Sequence, residues 1–184
     1  MKNIFLYMVL LHTTIAFSQT DTSAIKKQLS LILDRDQKCR TRGDSSAFMH
    51  FIDSTNLIQI EQLIAQYGWP GKSFVGEEGN KTIFLVIQHS DLATQEKYFP
   101  LLQNSVAKNE SSAPDLALLQ DRILMRQGKK QIYGSQIVRD STGSWKFYPI
   151  EDEKNVNLRR KKIGMQPLEE YAKYFGIEYK LPSQ

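Results

Sequence analysis

The sequence predicts a mainly α domain (α+β), with six or seven helices around one core and a C-terminal β-hairpin. Apolar residues recur at helical spacing, as in Ile25, Leu29 and Ile32 and again in Leu57, Ile60, Ile64 and Tyr67. Glycines and prolines stand where such segments should stop and start: Gly68, Gly128, Gly164 and Gly176 as terminators, Pro114 and Pro167 as openers. Strand-like patterning occurs at residues 131–138 and 144–149, around the turn Asp140-Ser141-Thr142-Gly143.

Residues 1–18 read as a cleavable signal peptide. Lys2 gives a positive n-region, residues 4–11 an apolar stretch extended by 15–17, and Ala16 and Ser18 put small residues before a cleavage site at Gln19. The apolar stretch is too short to span a bilayer. No cysteine follows it to carry a lipid. The expected mature chain, residues 19–184, is one globular domain, periplasmic or secreted, with no stable membrane insertion after cleavage.

Within it, residues 21–42 read as a helix whose Asp36 and Arg40, at i,i+4, form an ordinary surface pair. A second helix is capped by Asp53 or Ser54 and ends at Gly68, with Trp69-Pro70 forbidding continuation. The Trp69 side chain is expected to fold back on that helix's last turn. Residues 77–91 contain the continuous apolar run 83–87, which fits a buried strand or a buried helix. On a strand His89 and Asp91 share a face; on a helix they diverge. Helices follow from Thr94 to Lys108, from Pro114 to Gln127, from Asp152 to Ile163 and from Pro167 to Tyr174. The Asp152–Ile163 segment has acids in its first turn and cations in its last, as the macrodipole favours.

Twenty-four basic against 20 acidic residues give a net charge of +4, and +3 once the segment carrying Lys2 is removed. That is too mild, and the run Arg159-Arg160-Lys161-Lys162 too narrow, for a nucleic-acid-binding face. Cys39 is the one cysteine, so no internal disulfide forms, and it reads as a half-buried small hydrophobe. Two histidines remain after cleavage, His50 and His89, so a His-rich zinc site is excluded and any metal site must lean on carboxylates. No metal and no cofactor is expected.

The ordered set Gly68-Trp69-Pro70, Gln88-His89, Asp121-Arg122 and Gln131-Ile132-Tyr133-Gly134-Ser135-Gln136 resembles a bacterial secreted domain family of unknown function. So do Pro149-Ile150-Glu151-Asp152, Val156, Arg159-Arg160, Ile163-Gly164-Met165, Pro167-Leu168 and Tyr171. The resemblance covers the mature chain from Asp36 and Arg40 onward. Ser135 stands where threonine is commoner, and Asn157 where an acid is. The resemblance implies a helix for residues 77–90 and brings no activity with it.

Asp121 and Arg122 sit on an apolar helix without local counter-charges, so each needs a distant partner. Either they brace the core or they floor a polar pocket. His89 suits proton transfer near neutral pH. Gly134, beside Tyr133, Ser135 and Gln136, implies close backbone approach by a ligand or another element. No G-x-S-x-G elbow, P-loop, dinucleotide fingerprint or H-E-x-x-H is present. Two functional classes follow. The first is a monomeric envelope binding or interaction domain. Its pocket would comprise His89, Asp121, Arg122, Tyr133, Gln136 and Arg160, for a small anionic or carbonyl-bearing ligand or an envelope protein. The alternative is a hydrolase-like enzyme with His89 as general base oriented by Asp121, the other four binding ligand. A purely structural envelope protein would lack a concave polar site.

Overall fold

In the computed structural model, which describes residues 22–182, five long helices come first. α1 (Ser23–Thr41), α2 (Ser46–Tyr67), α3 (Lys72–His89, kinked at Gly76, φ 80), α4 (Leu92–Ala107) and α5 (Ala113–Arg126) precede β1 (Ile137–Arg139) and β2 (Trp145–Phe147). A 3₁₀ turn (Glu153–Asn155), α6 (Val156–Lys162) and α7 (Leu168–Lys173) complete the order. This is the mainly α architecture with a C-terminal hairpin that the sequence predicts. The expected signal peptide and its cleavage site lie outside the described residues.

The ambiguous apolar run is helical. α3 packs against α1, α2, α4 and α5, so Ile83, Phe84, Val86 and Ile87 are all buried. A helix enclosed on most sides needs no polar face, which is why its sequence lacks helical periodicity. Leu29 and Ile32 of α1, Ile60 of α2, Leu102 of α4 and Leu119 of α5 close around it. Gly79 allows the close approach of α1: a Cβ there would stand 3.0 Å from Leu29 Cδ1.

α2 starts at Ser46, capped by Ser45, whose hydroxyl accepts from the Phe48 amide at 3.3 Å. That is earlier than the expected start. Phe48 and Phe51 face solvent, and only Met49 and Ile52 are half-buried there, too short an apolar face to announce the first two turns. Asp53 and Ser54 therefore lie inside the helix rather than at its cap. Trp69 is half-buried against the core, and its indole N–H donates to Ser111 Oγ at 3.1 Å. The helix expected from Asp152 is also shorter. Asp152 is left-handed (φ 43), and α6 proper begins only at Val156.

The hairpin is smaller than its patterning suggests. β1 and β2 pair antiparallel, Ile137 opposite Phe147 and Arg139 opposite Trp145, while residues 131–136 form a loop instead of extending the first strand. Two buried side chains shape that loop. Asp121 of α5, fully buried, accepts from the amides of Ile132 (2.7 Å), Tyr133 (3.0 Å) and Ser135 (3.0 Å). Gln131 accepts from the Gln136 amide at 2.8 Å and donates to the carbonyls of Gln136 and Tyr148. Gly134 (φ 70) completes the turn; a Cβ there would meet Ile150 and Leu168 side chains at 3.0 Å. The close approach implied by Gly134 is thus to the second, smaller core of Ile150, Val156 and Leu168.

Asp121→Asn keeps the shape but turns an acceptor-only group into one that presents N–H groups to buried amides. It should cost about 3 kcal/mol, the scale for a lost charge-assisted bond with stranded partners. Urea unfolding checks this; an unchanged midpoint would show that the loop does not depend on the carboxylate.

Candidate functional site

The C-terminal end of α3 delivers His89 to a cleft of about 580 Å³ lined by His50, Asp53, Ser54, His89, Asp91 and Arg126, among others. The helix stops at His89, Ser90 is extended, and Asp91 caps α4 by accepting from the Thr94 amide at 2.8 Å. Breaking the helix there is what lets His89 and Asp91 line one cleft, an arrangement an uninterrupted helix would forbid.

Three helices meet behind the cleft wall. His89 Nδ1 lies 3.0 Å from Asp36 Oδ1, and Arg40 Nε donates to His89 Nε2 at 3.4 Å. Arg40 Nη2 donates to Asp53 Oδ1 at 2.7 Å and stands 3.5 Å from Asp36. Since an ionised Asp36 only accepts and Arg40 only donates, the geometry assigns the ring proton to Nδ1 and the lone pair to Nε2. Asp36 is 1 % exposed and the His89 side chain 18 %, so the carboxylate orients the ring from inside while the ring reaches solvent. The Asp36–Arg40 pair that reads as superficial in the sequence is the buried base of this site. Cys39, also buried, points its Sγ at the Asp36 carbonyl (3.2 Å).

Burial pulls the Asp36 carboxyl upward, but the His89 and Gln37 hydrogen bonds and the Arg40 charge outweigh it and hold the group below the usual carboxylate range. Burial acts against the Arg40 charge, and the Asp53 hydrogen bond with the Asp36 and Asp53 charges more than restores it, raising its pKa. Asp36, Asp53 and His89 offer ligand atoms within 4.8 Å of one another, spacing that suits a cation. The cation they surround is the Arg40 guanidinium.

The other residues singled out from the sequence gather elsewhere. Arg122 donates to Gln136 Oε1 and to the Gln88 carbonyl, both at 3.1 Å. Arg160, 1 % exposed, donates to the Tyr133 carbonyl and the Gln166 carbonyl, both at 2.7 Å. Asp121, Arg122, Tyr133, Gln136 and Arg160 therefore converge on one another, through the loop 131–136. Arg122 alone touches the strand of chain that carries His89, and the carboxylate on His89 is Asp36, with Asp121 spent on backbone amides. Sequence reasoning missed Asp53 and Arg126 as cleft residues. Arg126 is the exposed last residue of α5, and its Nη1 donates to the Ser90 carbonyl at 2.6 Å. The signal was present in its i,i+4 spacing from Arg122, which puts both guanidinium groups over the same end of α3.

The depressed Asp36 pKa sets a pH dependence. A carboxyl whose folded pKa lies below its unfolded value stabilises the fold above the unfolded value, near 3.9, and loses that contribution as the pH falls through the folded one. Wild type should therefore exceed Asp36→Asn in Tm at neutral pH, with the gap closing as the pH drops below about 4. Thermal melts from neutral to strongly acidic pH check it; a gap independent of pH would contradict the assignment.

No curated protein and no solved structure matches the chain. A family model does, over residues 12–183, and its description is DUF6624, a family of unknown function. That match spans nearly the whole sequence and every residue of the cleft and the loop latch, so the chain belongs to the DUF6624 family.

Proposed function

We propose that the protein is an exported binding domain whose cleft at the α3–α4 junction takes a small anionic or carbonyl-bearing ligand. One observation carries the reading. Arg126 is fixed by its Nη1 bond to Ser90, and its Nε and Nη2 have no protein partner among the described residues. An oriented guanidinium with two unused donors on a cleft wall matches a carboxylate, phosphate or carbonyl. The cleft volume falls within the range of small-molecule sites, about 300–1,000 Å³. Export rests on the signal-peptide features of residues 1–18 and implies a mature start at Gln19, which intact-mass analysis of the envelope fraction tests; retained Met1 would contradict it.

A second reading is favoured by the Asp36–His89 bond: a hydrolase-like enzyme in which Asp36 orients His89 as general base. It requires Arg40 to leave Nε2, because a lone pair already accepting a hydrogen bond takes no proton from water.

Titration of isotope-labelled protein with acetate, phosphate and acetamide, followed by amide NMR, tests the binding reading. The expected result is shifts at Ser90, Asp91 and Leu92, with the anion affinity reduced about tenfold or more in Arg126→Gln, the scale for losing a charge-assisted bond. Absence of shifts at the cleft, or an Arg126→Gln variant that binds anions like wild type, overturns it.

A further inference from the structure

We infer that the ligand of this cleft is a zwitterion, one small molecule carrying both an ammonium and an anionic group. The inference rests on the binding reading above and narrows it. The cleft has two charged poles, neither of which closes a salt bridge among the described residues. Arg126 supplies the positive one. Asp91 supplies the negative one: its carboxylate lines the same cleft, is exposed and makes no ion pair among the described residues. The Thr94 amide and hydroxyl hold it below the usual carboxylate range, and the Arg126 charge adds to that without closing a bond. The remaining acid on the lining, Asp53, is already matched by Arg40 at 2.7 Å. The His89 lone pair is matched by the same arginine.

Complementarity then decides between ligand classes. A simple anion at Arg126 would also feel Asp91, whose carboxylate is close enough to interact with the Arg126 charge, and be repelled by it. A simple cation at Asp91 would meet Arg126 in the same way. A ligand with both charges gains at both poles, and the penalty on single-charge competitors is what makes such a cleft selective. Chain position fixes the poles. Asp91 is held by its capping bond, and Arg126 by Ser90, the residue next to Asp91, so the two charges are anchored to one short backbone segment.

The test uses amino acids of increasing charge separation (glycine, γ-aminobutyrate and ε-aminocaproate) against their acid-only analogues and butylamine, by amide NMR on the whole protein. At least one amino acid should bind about tenfold or more tightly than its acid-only analogue. That advantage should vanish in Arg126→Gln and in Asp91→Asn. The second variant keeps the α4 cap, because Asn caps a helix as well as Asp. Equal binding of amino acids and acid-only probes, or an advantage retained in Asp91→Asn, overturns the zwitterion inference and leaves the anion-binding reading standing. Failure of every probe to shift cleft signals removes both.

Discussion

The carbonyls at the C-terminal end of α3 have no helical partners, and Gln88 and Ser90, which carry two of them, are buried. A buried carbonyl left unpaired costs about 1–3 kcal/mol, so these groups recruit donors from the elements around them. Gln95 of α4 donates to both carbonyls, Arg122 to that of Gln88 and Arg126 to that of Ser90. Cations at a helix C-terminus also meet the negative end of its dipole. The consequence is geometric. α4 and α5 are docked onto α3 at the one point where His89 emerges, and Arg122 extends the contact to Gln136 and so to the loop that Asp121 holds. Stability and site placement thus depend on the same few donors.

At the cleft wall the charges are arranged differently. Arg40 stands among two carboxylates and an imidazole, with Nε, Nη1 and Nη2 each engaged. Removing one member of such a half-buried set leaves the others short of a partner, which is why it holds its shape. The same saturation limits its chemistry. His89 is well oriented, since a buried carboxylate on Nδ1 fixes ring and tautomer, yet its outward nitrogen is occupied. The site as it stands holds His89 in place without leaving Nε2 free to take a proton. Proton transfer at Nε2 demands that the Arg40 side chain swing away, breaking its bonds to the Asp36 carbonyl and Cys39 Sγ as well.

How much of this was legible in the sequence follows from the range of each interaction. Most helices were, because periodicity and Gly/Pro punctuation are local; α3 was not, because a run buried on all sides reads equally as a strand. The start of α2 was not, because Phe48 and Phe51 are exposed and Met49 and Ile52 alone make too short an inward face. For Asp121 the sequence required a remote partner, and a remote partner exists, but it is a set of backbone amides, which no residue type betrays. Asp36 failed in the opposite direction. Its i,i+4 cation supplied a sufficient local explanation and hid a bond to a histidine 53 residues away. The His89–Asp91 relation lay outside both local alternatives, since neither a helix nor a strand describes a chain that ends one helix and caps the next.

Arg122 and Arg126 show how one helix divides its charges between structure and site. At i,i+4 they are like-charge neighbours, an arrangement that costs a helix a few tenths of a kcal/mol. Burial lowers the Arg122 pKa, and the Arg126 charge lowers it further. Each is retained against that repulsion by a carbonyl of the α3 end, but they differ in what is left over. Arg122 is half-buried and its Nε is also engaged, by Gln136. Arg126 is exposed and spends one donor, leaving the rest toward the cleft. An anionic group held there offsets the repulsion that Arg122 feels as well as its own contact with Arg126. On the binding reading proposed above, occupancy of the cleft would be coupled to the stability of the α3–α5 junction, because anything that binds the folded state alone shifts the folding equilibrium toward it.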